Sequence, residues 1–422
     1  MTGPPGLAIA FDLGTTTIAA ALINPATGEC LAMKGGLNPQ REFGLDVVSR
    51  LDAAMKSEQT LAEMKRSVNG ALERLALELL GCNGASLDCL KRVAIAGNPA
   101  MEHFLLGLPV RSLAFPPYRP LFNFGRTINS AQLGWETSVD VYLFPLPGGF
   151  VGGDLVAFLF GCDSSLLTSN SSRLFLDLGT NGEIAVVSGG RIFATAAAAG
   201  PAFEGGNLSC GMAALPGAIW DFRLEGEKAR IEVVGGAPPQ GICGSGVMAA
   251  VSELLRTGLI DPTGRLLSPS EIPSNLANRM MENGKEMQFV LHRDATKCIY
   301  LGQNDIRQVQ LAKAAIRAGV EVLFERSGIA KDDVREVLIT GSFGAVLDPG
   351  FLKNVGILPE KMVDISRFVR DGALAGVVKS VSSPEGMEEV EALAEEVRVI
   401  PLSGTPFFER HFLEQMNFPA VG

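Results

Sequence analysis

One pattern occurs twice in this chain, and the repetition limits its fold more than any other feature. In residues 7–23 an apolar run enters Asp12-Leu-Gly14-Thr15-Thr16-Thr17 and leaves as a second apolar run, the signature of two antiparallel strands joined by a short Gly-containing loop. Residues 173–187 repeat it around Asp177-Leu-Gly179-Thr180-Asn181-Gly182-Glu183, with the two aspartates 165 residues apart. Each loop has a later companion, a short apolar run ending in glycine: Val93 to Gly97, then Val337 to Gly341. The interval from loop glycine to strand-end glycine grows from 83 to 162 residues, so the second half carries a large insertion. Internal duplication predicts an α/β protein of two like-folded halves facing each other across a cleft.

The loops are suited to an anion. Gly14 lets the backbone turn tightly and approach a ligand, while the N–H groups and hydroxyls of Thr15, Thr16 and Thr17 offer donors to phosphate oxygens. Asp12, beside them, suits a hydrated Mg²⁺, which takes few protein ligands. A plain β-hairpin with a Thr-rich turn would read the same way in one copy; the second copy favours the phosphate cradle.

At 422 residues the chain has room for two or three domains. Its net charge of −10, from 46 acidic and 36 basic residues, disfavours nucleic acid and anionic membrane as main partners. No segment has 18 uninterrupted apolar residues and Met1-Thr-Gly-Pro-Pro lacks a basic start, so a cytoplasmic location is expected. Seven cysteines form no C-x-x-C pair and no iron–sulfur or zinc spacing; they are expected to be reduced, mostly buried thiols. His103, His292 and His411 are scattered and read as structural.

Further segments add detail. A helix is expected from Val47 and a longer one from about Ser57 to Leu80, with one buried face through Leu61, Met64, Val68, Leu72, Leu75 and Leu79. Pro99 suits the first turn of another. The run Ala194 to Gly206 is rich in small residues, which fits either close approach by a ligand or a tightly packed loop. Gly241-Ile-Cys243-Gly244-Ser245-Gly246 opens a helix to Arg256, where Gly-rich backbone can hold an anion. Gln310 and Lys313 share a face of a helix from Asn304 to about Glu325, leaving room for a base or ribose; a solvated polar stripe reads equally well.

The Asp12 loop, the Asp177 loop and Gly341-Ser342-Phe343-Gly344 resemble the phosphate-1, phosphate-2 and adenosine motifs of the acetate and sugar kinase, heat-shock chaperone and actin superfamily. Residues 147–160, including Asp154, and 371–378 resemble its two connecting helices. The segments 177–183, 199–205, 241–246, 310–319 and 356–360 together resemble the ATPase domain of the reductive activators of corrinoid proteins, over about residues 7–418. The resemblance implies an α/β fold of two duplicated actin-like (ribonuclease H-like) halves with a nucleotide cleft between them. The expected divisions are 1–160 with the first connecting helix, 161–382 with an insertion at about 190–300 and the second connecting helix, and a C-terminal strand and helix in 383–422.

The resemblance also implies roles. ATP and Mg²⁺ are the expected cofactors, with Thr15, Thr16, Thr17, Gly179, Thr180, Asn181 and Gly182 around the phosphates and Asp12 and Asp177 on the metal. Gly244, Ser245, Gln310, Lys313, Gly341, Ser342, Phe343 and Gly344 are expected near the nucleotide, and Asp154, Glu183 and Glu204 are candidates to orient the attacking water. The implied activity is ATP-dependent return of an oxidised Co(II) corrinoid protein to Co(I) in a methyltransferase system. Such activators carry an iron–sulfur module, for which these cysteines provide no ligand set. Three readings therefore stand: electrons come from a separate iron–sulfur or flavin protein, this is the isolated ATPase portion, or the role is no longer redox. A homodimer is possible. The rivals are a small-molecule kinase of the same superfamily and a nucleotide-gated scaffold without turnover.

Overall fold

The computed structural model describes residues 6–284, 286–341 and 348–420. Its contacts divide the chain into two units, one of residues 1–172, 185–195 and 371–400, the other of 173–184, 196–370 and 401–422.

The first unit is built on a six-stranded sheet. Strands β1 (Leu7–Leu13), β2 (Thr17–Asn24) and β3 (Glu29–Leu37) form an antiparallel meander. β4 (Leu90–Gly97) joins β1 in parallel, followed by β5 (Arg126–Asn129) and β6 (Asp140–Leu143), to give the order β3-β2-β1-β4-β6-β5. The pleat of β1 sorts its side chains onto two faces. Ile9, Phe11 and Leu13 pack with Met64, Val68, Leu72 and Leu79 of the helix Glu58–Cys82, and with Met101, Phe104 and Leu105 of the helix Pro99–Leu106. Ala8 and Ala10 pack on the other face with Val156, Phe160, Leu374 and Val377. The long helix begins where Ser57 accepts the Thr60 N–H, and Asn98 caps the shorter one ahead of Pro99.

The small residues on that second face have a purpose. Helices Gly153–Gly161 and Gly372–Ser382 cross so closely that a Cβ on Gly376 would lie 1.7 Å from the Ala157 carbonyl oxygen, and one on Gly161 would lie 2.8 Å from Gly376 N.

The duplication read from the motifs is a duplication of topology. β7 (Ser172–Leu178), β8 (Gly182–Ser188) and β9 (Arg191–Ala197) repeat the opening meander order, and β16 (Val334–Thr340) and β17 (Ser366–Phe368) follow on the inner side. The order is β17-β16-β7-β8-β9-β18, with β18 at Val397–Val399. The insertion holds two three-stranded sheets. One, of order β11-β10-β12, contains β10 (Ala218–Glu225), β11 (Lys228–Val233) and β12 (Gly241–Ile242); the other is β13 (Met280–Asn283), β14 (Glu286–Arg293) and β15 (Cys298–Gly302).

The expectation of mostly buried cysteines is corrected here. All seven are free, but only Cys89, Cys162 and Cys243 are buried; Cys30 and Cys82 are exposed, and Cys210 and Cys298 are half-buried. Cys30 lies on β3, an edge strand with one outward face, and Cys82 is the last residue of its helix. No helix among the described residues is long and apolar enough to cross a membrane.

Candidate functional site

The first loop is held from behind by three buried polar side chains, none of which was singled out from the sequence. Gly14 is required there because a Cβ would lie 2.7 Å from Thr17 O. Asn38 Nδ2 donates to Gly14 O at 2.9 Å, and the Asn38 amide donates to Thr16 O. Arg50 is fully shielded from solvent; its Nη2 donates to Thr15 O at 2.7 Å and its Nε to Gly44 O at 2.8 Å. Asn98 Nδ2 donates to Thr15 Oγ1 at 3.0 Å while its Oδ1 accepts the Met101 N–H. Buried polar groups matched in this way fix a loop without hydrophobic contacts. Thr15 is thereby buried, whereas Asp12, Thr16 and Thr17 remain half-exposed at the turn.

Asp154 belongs to the same unit. Its Oδ1 accepts the Leu155 N–H at 2.8 Å at the start of the helix 153–161. Burial pushes its proton affinity up, to a pKa of about 6, against the opposing pull of the Leu155 and Asp154 amides. Close by, a Cβ on Gly152 would meet Asn98 Cα at 2.5 Å and Asp154 Oδ1 at 2.9 Å, so the helix start, Asn98 and Thr15 form one contiguous cluster.

The second loop has its own support. Gly179 N donates to Asn181 O and Gly200 N to Thr180 O. Thr180 Oγ1 donates to Glu204 Oε2, which brings the small-residue run onto the loop. Gly200 and Gly205, at φ 76° and 78°, bracket the turn Pro201–Glu204 in the left-handed region that glycine tolerates. A Cβ on Gly244 would lie 1.7 Å from Phe203 O, so the helix Gly244–Arg256 starts against that turn, with Ser245 buried beside it. Thr180, Glu204, Gly244 and Ser245 are therefore brought together. Gly182 packs against Ile316, where a Cβ would be 2.7 Å from Cγ1, and Glu183 is buried on β8.

Gln310 and Lys313 lie on the helix Gln303–Ser327 of the same unit. Gln310 Nε2 donates to Thr263 O and Met416 O, and Lys313 Nζ to Asn417 O. Both are 1% exposed and fasten the C-terminal segment. Gly341 follows the last residue of β16 with a φ of 144°, while Ser342, Phe343 and Gly344 lie outside the described residues.

The missed residues differ in how visible they were. Arg50 falls on the apolar face of the helix Val47–Lys56, with Val47, Leu51 and Ala54 as the other buried residues, so a lone charge on that stripe was the available signal. Asn38 and Asn98 each precede a proline in the pattern of a helix cap.

Comparison with known proteins identifies the family and the fold. Residues 171–422 match the model described as the C-terminal domain of RACo, the ASKHA domain, and residues 7–165 match the RACo middle region. The chain is 33% identical over 428 residues to the corrinoid activation enzyme RamQ of Eubacterium limosum, covering 98% of this chain and 70% of that protein. It is 25% identical over 449 residues to the [Co(II) methylated amine-specific corrinoid protein] reductase of Methanosarcina barkeri, covering 98% and 77%. A solved reductive activator for corrinoid, iron–sulfur protein superposes with a TM-score of 0.90 at 28% identity, over 100% of this chain and 67% of that one.

Proposed function

Because the chain belongs to the RACo family, we propose that it hydrolyses ATP and couples that turnover to the reduction of a Co(II) corrinoid protein to Co(I). Its fold is the mixed α/β ASKHA, or actin-like ATPase, fold. The observation that carries the reading is the equivalence of the two loops. Asp12 and Asp177 are each the penultimate residue of the strand that opens a meander, and each precedes a glycine and a buried threonine.

In this reading the loops 12–17 and 177–183 each bring backbone N–H groups, hydroxyls and one carboxylate to the triphosphate. Oxygen donors of this kind suit Mg²⁺, which Asp12 and Asp177 would hold with water completing its shell, and which would neutralise charge on the phosphates. Phosphoryl transfer to water needs chiefly positioning and charge neutralisation, and a loop locked by Asn38, Arg50 and Asn98 supplies the positioning. Asp154 is the base assigned to the water, because it is raised toward neutral pH and adjoins the Thr15 cluster. Glu204 orients Thr180 and so acts on the second loop. Gly341, Gly244 and Ser245 are assigned to the nucleoside, together with residues 342–344. The electron for cobalt comes from an iron–sulfur or flavin centre, one electron per Co(II) reduced, in a cytoplasmic methyltransferase system.

The test is a cobalamin absorbance assay with a corrinoid protein, ATP, Mg²⁺ and a chemical reductant. The Co(II) band is expected to fall only when ATP and this protein are both present. Unchanged Co(II) absorbance, with ADP formed only when a small-molecule acceptor is added, would replace the activator by a kinase.

A further inference from the structure

Glu102 is a buried acid that the reading above does not use. It sits in the helix Pro99–Leu106, fully shielded from solvent, and no side chain hydrogen-bonds either carboxyl oxygen. It packs on Gly153, the residue before Asp154: a Cβ there would lie 3.0 Å from Glu102 Oε1. A carboxylate left ionised and unpaired in such a place is costly, and the group takes up a proton instead. Burial raises its proton affinity well above the ordinary carboxylate range, the charge of Asp154 adds to this, and the Gly97 backbone opposes it.

The other titratable and charged groups around it are committed elsewhere. Tyr142 on β6 donates to Glu391 Oε1 at 3.0 Å and is itself pushed up by burial. His103, next on the helix, is bonded to Pro99 O and to the Leu121 amide. Arg50 is aimed at Gly44 O and Thr15 O. None of them gives Glu102 a hydrogen bond.

We propose that Glu102 is a positioning residue for ATP hydrolysis, an uncharged buried acid behind Asp154 that leaves Asp154 as the lone negative charge of the pair and hence the base for the attacking water. The proposal rests on the ATPase reading above. In the step, the water oxygen bonds to the γ-phosphorus and the bond to the β–γ bridging oxygen breaks, its electron pair leaving with ADP. The water proton passes to Asp154, whose Oδ1 already holds the Leu155 N–H, so Oδ2 is the oxygen left to take it. Ionising Glu102 would set a second negative charge beside the first, so hydrolysis should fall on the alkaline side.

The experiment combines infrared spectroscopy with a pH–rate profile on the full chain. Near neutral pH the protein should show the C=O band of a protonated carboxyl that is lost in Glu102→Gln, and in Asp154→Asn the band should titrate at lower pH because the neighbouring charge is gone. The ATPase profile of Glu102→Gln should lose its alkaline limb and retain the acid limb near pH 6 that belongs to Asp154. Absence of the band at neutral pH, or an alkaline limb that survives in Glu102→Gln, overturns the proposal. The infrared arm needs no turnover, so a protein that shows the band and hydrolyses no ATP refutes the ATPase reading and leaves the state of Glu102 established. If Glu102→Gln does not fold, the shift in Asp154→Asn decides.

Discussion

Asn98 Nδ2 donates to Thr15 Oγ1 at 3.0 Å across 83 residues of sequence, and the same side chain caps the helix Pro99–Leu106 through its Oδ1. One amide thus ties the end of β4 to the first loop and starts the helix that carries Glu102. Its two halves have separable consequences. Asn98→Asp keeps the cap oxygen but exchanges the donor to Thr15 for a buried carboxyl near Asp154, so it should raise KM for ATP roughly tenfold or more, the worth of about one hydrogen bond plus the added repulsion. Asn98→Ala should add a cap loss of about 1 kcal/mol. Steady-state ATPase kinetics beside urea unfolding separate the two.

Gly376 makes a harder demand. Its ideal Cβ position falls 1.7 Å from Ala157 O, a backbone atom that cannot swing aside. Gly376→Ala must force the helices 153–161 and 372–382 apart, against a face formed by Ala8, Ala10, Phe160 and Val377. A loss of about 3 kcal/mol or more is expected, at the upper end of overpacking costs. Gly258→Ala is the control: that glycine has open space around it but a φ of 71°, so it should cost only about 1 kcal/mol of backbone strain. Urea midpoints of the two variants test the ordering.

The duplicated meanders, the long helix at 58–82 and the close pair of connecting helices were legible because each rests on a local period or a local glycine pattern. The supports of the first loop were not. Arg50 reaches Thr15 O from 35 residues away, and Asn98 from 83, so their roles exist only once the sheet has brought them to one place. Gln310 and Lys313 make the complementary point. Their i, i+3 spacing correctly puts them on one helix face, but spacing does not say what that face meets, and here it meets the backbone of residues 416 and 417.

His103 should register in acid unfolding. Burial lowers its pKa to about 4, and the hydrogen bond to Pro99 O only partly restores it. Its Nδ1–H donates to Pro99 O at 2.7 Å and its Nε2 accepts the Leu121 N–H at 3.1 Å, which fits the neutral ring alone. The folded value lies below the unfolded one of 6.5, so the unfolded chain binds the extra proton as pH falls. Stability should therefore decline between about pH 6.5 and 4, by up to roughly 3 kcal/mol from this group. Urea unfolding of wild type and His103→Gln at pH 7 and 4.5 should show the gap between them narrowing in acid; a constant gap would assign the acid loss to other groups.

Lys313 predicts a dependence of the same sign at the alkaline end. Its Nζ donates to Asn417 O and stands 5.5 Å from the Phe418 ring, with no carboxylate partner among the described residues. Burial lowers its pKa from 10.5 to about 8, and the charge of Arg317 adds to the effect. Below pH 8 the ammonium is charged in both states and the folded protein bears the full cost of burying it. Between about 8 and 10.5 the unfolded chain holds the proton that the folded one has shed, so stability from this residue rises with pH. Lys313→Met removes the titration and the bond to Asn417 together. Relative to that variant, wild type should gain up to about 3 kcal/mol between pH 7.5 and 10.5, since one pKa unit is worth about 1.4 kcal/mol. Urea midpoints at three pH values in that range measure it, and a flat difference would mean that water reaches the ammonium and that Phe418 does not seal it.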